Sequence, residues 1–159
     1  MRLISTFGFV SLALVGCGQS GSTGADAPED CALETRADPW GIPMDHHGAA
    51  GMLDFQLVSA TPAPPARGNN TWVIEVSSMT NNVVGAPVTG AASGMTATTY
   101  MPDHGHYGAL QSVITETATA GQYQIDPVNM WMPGYWEDTI AVTVGGVTDQ
   151  AVFKVCVPQ

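Results

Sequence analysis

From residue 51 to the C-terminus the chain nowhere sustains a helical period over about ten residues, which removes helical architectures from consideration. Short β-prone runs alternate instead with clusters of Gly, Pro and Asn. Met52–Val58 alternates imperfectly, and the proline-rich stretch Thr61–Asn70 reads as a rigid loop. Thr71–Val76 is strongly β-prone, with Trp72, Ile74 and Val76 on one face and directed inward. Met95–Met101, Ser112–Glu116 and Gln122–Ile125 are further strands, and Gly145-Gly146 joins Asp138–Val144 to Gln150–Val157 as a hairpin. About seven strands at this spacing predict an all-β, immunoglobulin-like β-sandwich. Tyr123, after Ala120-Gly121, sits where such a sandwich places a tyrosine corner, or simply faces the core.

The segment ahead of the strands has a different character. Met1 to Gly16 carries one positive charge and then an apolar run that ends in Leu14-Val15-Gly16-Cys17. It is too short to span a bilayer and reads as a secretory signal. The cysteine directly after Leu-Val-Gly resembles a bacterial lipobox, which implies cleavage before Cys17 and lipidation of its thiol. Gly18 to Pro28 is Gly/Ser-rich and reads as a tether. The expected organisation is a signal peptide over 1–16, a lipidated Cys17 with a flexible tether over 17–49, and one folded domain over 50–159. The anchor makes a membrane the first expected partner. An aspartate after the cysteine would favour inner-membrane retention, and Gly18 stands there, so the expected location is the periplasmic face of the outer membrane.

Once Cys17 is assigned to lipid, Cys31 and Cys156 remain. In an exported protein an even pair reads as a disulfide, the alternative being two buried free thiols. The 14 acidic residues against 4 Lys and Arg, a net charge of −10, disfavour nucleic acid and polybasic membrane binding.

The histidines are clustered. All four lie in Met44-Asp45-His46-His47-Gly48 and Met101-Pro102-Asp103-His104-Gly105-His106. A third stretch, Met130-Trp131-Met132-Pro133-Gly134-Tyr135-Trp136, adds thioethers and indoles. In an extended segment residues i and i+2 point the same way, so the rings of His104 and His106 can converge on one ion. Asp103 could orient a ring as an outer acceptor. Imidazole with thioether is a donor set that favours copper, Cu(I) above all, over zinc. His104, His106, Met101 and Met132 are therefore the candidate copper ligands. The bland alternative is a solvated histidine loop beside core methionines. His46 and His47 read as part of the flexible arm, the alternative being that they also bind metal.

The order of these motifs resembles the YtkA-like domain family, akin to the periplasmic FixH-type domain. The matching elements are Met101-Pro102-Asp103-His104-Gly105-His106, Gly121-Gln122-Tyr123 and Met132-Pro133-Gly134-Tyr135-Trp136, over about residues 50–157. The resemblance implies a small immunoglobulin-like sandwich on an exported or membrane-anchored bacterial protein, with a link to copper handling and a copper-dependent envelope protein as partner. Where the family has glycine after the second histidine, this chain has Tyr107, which would crowd that edge of a site.

Two functions follow: a lipid-anchored extracytoplasmic module that binds copper, or a structural or protein-interaction module of the envelope. No Gly-x-Ser-x-Gly elbow, His-Glu-x-x-His or phosphate-binding glycine loop is present, so an enzyme is not expected. Intact-mass spectrometry of exported protein should show an N-terminus at Cys17 carrying acyl chains. An unmodified mature N-terminus at another residue would overturn the lipobox assignment.

Overall fold

The computed structural model describes residues 30–159; the expected signal peptide, Cys17 and the first part of the expected tether lie outside them. Among the described residues, ten strands form two antiparallel sheets. The first sheet holds β1 (Met44–His47), β2 (Leu53–Thr61), β3 (Gly68–Thr80), β8 (Gln122–Met130) and β7 (Val113–Glu116) in that order, with β4 (Val83–Pro87) also on β3. The second runs β10 (Val147–Val157), β9 (Gly134–Val144), β5 (Met95–Met101) and β6 (His106–Tyr107). The fold is the expected all-β sandwich, with ten strands rather than about seven.

Alternation builds the core. Trp72, Ile74 and Val76 of β3 are fully buried, as are Phe55 and Leu57 of β2. Trp136, Ile140 and Val142 of β9 and Phe153 of β10 meet them from the other sheet. The β9–β10 hairpin turns at Gly145 and Gly146, whose φ values of 60° and 81° are those that favour glycine. Tyr123 is a tyrosine corner: its hydroxyl donates to the Val88 carbonyl at 2.7 Å and accepts from the Ala91 N–H at 3.1 Å. Its partners lie on the connection between β4 and β5.

The N-terminal segment departs from expectation. Residues 44–47, assigned to the tether, form β1 and pair with β2, with Met44 buried in the core. Before β1 the chain runs along the free edge of β10. The Asp38 N–H donates to the Lys154 carbonyl at 2.8 Å, and its carboxylate accepts from the Lys154 N–H at 2.7 Å. Such contacts satisfy an edge that would otherwise offer unpaired backbone groups. Cys31 and Cys156 are disulfide-bonded, with Cα atoms 5.5 Å apart and a sequence separation of 125. At that separation the chain-entropy account gives a stabilisation of about 5 kcal/mol as an upper figure.

One core residue is chemically discordant. Asp138 lies on the inner face of β9, 3% exposed, and neither carboxylate oxygen has a hydrogen-bond partner. Burial pushes its carboxyl up to about 7; the Thr99 hydroxyl, nearby on the adjacent strand β5 but outside hydrogen-bond geometry, opposes this only in part. In the unfolded chain an aspartate ionises near pH 3.9. Below that value the group is protonated in both states and contributes nothing. Between about 4 and 7 unfolding releases a proton, so stability falls as pH rises, by at most about 1.4 kcal/mol per unit, and levels off above 7. Asp138→Asn should abolish this slope and raise the melting temperature at pH 8 more than at pH 5. Equal shifts at both values would refute a neutral Asp138.

Candidate functional site

Sheet register places the histidine stretches at opposite ends of the sandwich. His47 pairs with Asp54 at the start of β2, beside the loop that bonds to Asp149 near the β9–β10 turn. His104 follows the far end of β5, where Tyr100 pairs with Glu137 near the start of β9.

At the β5–β6 end, Met101 and His106 are direct register partners, so their side chains share the inner face of the sheet. The turn between them closes by donation from the Gly105 N–H to the Met101 carbonyl at 2.9 Å, and Gly105 adopts φ 66°. Met101 is 1% exposed. The His106 ring stacks on Trp131, with centroids 4.8 Å apart and planes 27° from parallel. Trp136 lies at 5.7 Å on a tilted approach, and the His104 ring is also 5.7 Å away. Both ring nitrogens of His106 are buried and lack a hydrogen-bond partner. A buried polar atom without a partner costs about 1–3 kcal/mol, so two on one ring call for an explanation.

The β8–β9 loop closes over this turn. Trp131 Nε1 donates to the Tyr107 carbonyl at 3.4 Å, and Trp136 Nε1 donates to the Met132 carbonyl at 3.0 Å. Met132 is half-buried against the core. The structure thus brings Met101, His104 and His106 to one turn and Met132 to the loop beside it. Tyr107 does not crowd this site, because it points to the other side of β6 and its ring lies 4.9 Å from Tyr100.

Asp103 does not orient a histidine as expected. It receives both terminal nitrogens of Arg36, at 2.7 and 2.6 Å, and this hydrogen-bonded pair holds its carboxyl below the usual range. Arg36 also bonds Glu34 and lies 4.2 Å over the Tyr135 ring. The disulfide-anchored segment is thereby clamped onto the turn that carries His104.

The other histidine pair is built into the sheet. The His46 ring meets Phe153 edge-on at 4.8 Å, and its Nε2 lies 3.1 Å from the Asp38 carboxylate. Neither histidine is part of a flexible arm. His47 Nδ1 lies 2.7 Å from Asp54 Oδ1, and the metal-binding atoms of Asp45, His47 and Asp54 all lie within 4.8 Å of one another. Burial raises the Asp45 carboxyl, and the neighbouring Asp54 adds to the effect. Sequence reasoning missed Asp54, because its proximity to His47 exists only through the β1–β2 register. The available signal was a carboxylate between the apolar residues Leu53 and Phe55 of β2.

The chain matches the YtkA-like family over residues 48–141, more than half its length. No curated protein and no solved structure matches it. The matched region contains Met101, His104, His106 and Met132, and excludes β1, both disulfide cysteines and Asp149.

Proposed function

This chain belongs to the YtkA-like family, and we propose that it is an extracytoplasmic, lipid-anchored module that holds copper through His104 and His106, with a thioether from Met101 or Met132. The observation that carries this reading is the His106 ring. Its two nitrogens are buried and unpartnered, it shares a face with the Met101 side chain, and the His104 ring lies alongside. A ligated ion would satisfy one of those nitrogens in place of a missing hydrogen bond.

The donor chemistry supports copper over zinc. Imidazole and thioether together suit Cu(I), and Cys31 and Cys156 are consumed by their disulfide and offer no thiolate. That disulfide also supports export, since such bonds persist in oxidising compartments, and the lipobox supplies the anchor. The residues present fit the ion. His104 is solvent-exposed and can admit it, while the buried Met101 and the stacked Trp131 limit access of water to the His106 side. The module would hold or pass copper to a copper-dependent envelope protein.

Cu(I) titration in competition with a chromophoric chelator should give one bound ion per chain. The double variant His104→Ala, His106→Ala should lose it while keeping the wild-type β-sheet spectrum. Met132→Leu should lower affinity for Cu(I) more than for Cu(II), because thioether is the softer ligand. Cu(II) should quench the fluorescence of Trp131, which stacks on His106. Copper binding by the double variant as tight as by wild type would place the site elsewhere. An absence of binding by the wild-type chain would favour the structural-module reading.

A further inference from the structure

We infer that Asp45, His47 and Asp54 form a second, separate cation site, for an exchangeable divalent transition ion such as zinc, on the outer face of the β1–β2 edge of the first sheet.

The donors come from two paired strands and not from a loop. Register sets His47 opposite Asp54 and Asp45 opposite Gln56. Alternation puts Asp45 and His47 on one face of β1, with Asp54 on the same face of β2, while Met44 and Phe55 are buried. Two strands in a ladder hold their side chains with little freedom, so the spacing of the donors is built in. Their binding atoms lie within 4.8 Å of one another. With bond lengths of about 2.0–2.2 Å, an ion placed among them needs donor separations of about 3–4 Å, a small contraction for the longest.

The second observation concerns charge. Asp54 is 5% exposed, and its neighbour on β3, Ser77, is 6% exposed, so this carboxylate sits well inside the sheet surface. Among the described residues no lysine or arginine pairs with Asp45 or Asp54; the one ionic contact of Asp54 is His47. The described arginine ion pairs are those of Arg36 with Glu34 and Asp103, and Arg67 donates to the Trp131 carbonyl. Two neighbouring carboxylates, one of them buried, therefore face a single imidazole. A buried carboxylate needs a countercharge or strong donors, and a neutral imidazole provides one hydrogen bond at most. A divalent ion supplies the missing charge to both carboxylates and takes a nitrogen lone pair as well. It would replace the proton shared by His47 Nδ1 and Asp54 Oδ1, opening that contact from 2.7 Å to about 3 Å.

The donor set selects the class of ion. One imidazole and two carboxylates, with no sulfur, suit zinc or manganese and not Cu(I). Three protein donors leave a coordination position to water or to a partner's side chain. Asp45 and His47 are solvent-exposed, so the ion can enter and leave. This site does not depend on the copper site, which lies at the other end of the sandwich.

The test uses the full chain carrying His104→Ala and His106→Ala, so that the far end does not compete. Calorimetric titration with Zn²⁺ should show one binding step, and Zn²⁺ should raise the melting temperature. Adding Asp45→Asn or His47→Ala to that chain should each remove the step and the thermal shift. Asp45 is exposed and carries no ion pair among the described residues, so the Asp45→Asn chain should keep its melting temperature in chelator, which separates loss of a ligand from loss of fold; His47→Ala also strips buried Asp54 of its partner and is read by the loss of the Zn²⁺ step alone. Absence of a Zn²⁺ step in the double-histidine chain would overturn the proposal. So would a step that survives either added substitution unchanged. A failure of copper to bind at His104 and His106 would leave this measurement unaffected.

Discussion

The carboxylate of Asp149 accepts four backbone N–H groups, from Ala50, Met52, Leu53 and Gln150, at 2.7 to 2.9 Å. The first three belong to the entry into β2 and the last to β10, so one side chain joins the two sheets. Asp149 is 2% exposed. Its burial alone would raise the carboxyl, yet the four donors outweigh it and hold the group below the usual range. The approach is close enough to dictate a neighbouring residue. A Cβ at Gly48 would lie 2.2 Å from Asp149 Oδ2, so that position admits only glycine. Gly48 in turn donates to the Leu53 carbonyl and closes the turn from β1 to β2. The register that sets His47 against Asp54 therefore follows from a bond made about a hundred residues further along the chain.

That dependence explains which parts of the fold were legible in the sequence. Strands with a strong apolar or β-branched pattern were readable: Met95–Met101 is β5 from end to end, and Trp72, Ile74 and Val76 face inward as their alternation implies. The Gly145-Gly146 turn and the tyrosine corner carried local signals of their own. β1 carried none, because Asp45-His46-His47 has the polarity of a loop and becomes a strand only by pairing with β2. β4 is exposed throughout and is held by its pairing with β3, and β6 has two residues. The site divides in the same way. The His-Gly-His spacing pointed to His104 and His106, whereas the stacking of Trp131 on His106 and the capture of Asp103 by Arg36 join residues distant in sequence.

The two ends of the sandwich have acquired opposite chemistry from one scaffold. At the β5–β6 end the groups around His106 are aromatic and thioether, and the nearby carboxylate is neutralised by arginine. The immediate surroundings of His106 are therefore soft, with Arg36 shared between Asp103 and Glu34 beyond them. At the β1–β2 end two carboxylates remain without a cationic side chain among the described residues, around one imidazole. A hard or borderline ion would find its match there and a soft one would not. On the proposed reading each end would discriminate through the elements that flank its histidines, since imidazole itself binds a wide range of metals.

The bond between Cys31 and Cys156 also settles how the domain carries mechanical load. Tension on the chain ahead of residue 31 passes through the sulfur atoms into β10 and bypasses the segment that leads to β1. β10 is held to β9 by eleven register pairs, whereas β1 meets β2 through four. A strand that short, pulled from its free end, would peel away one pair at a time and take the His47–Asp54 contact with it. With the cross-link in place the force falls on the longest ladder of the second sheet, and the short edge strand β1 stays slack.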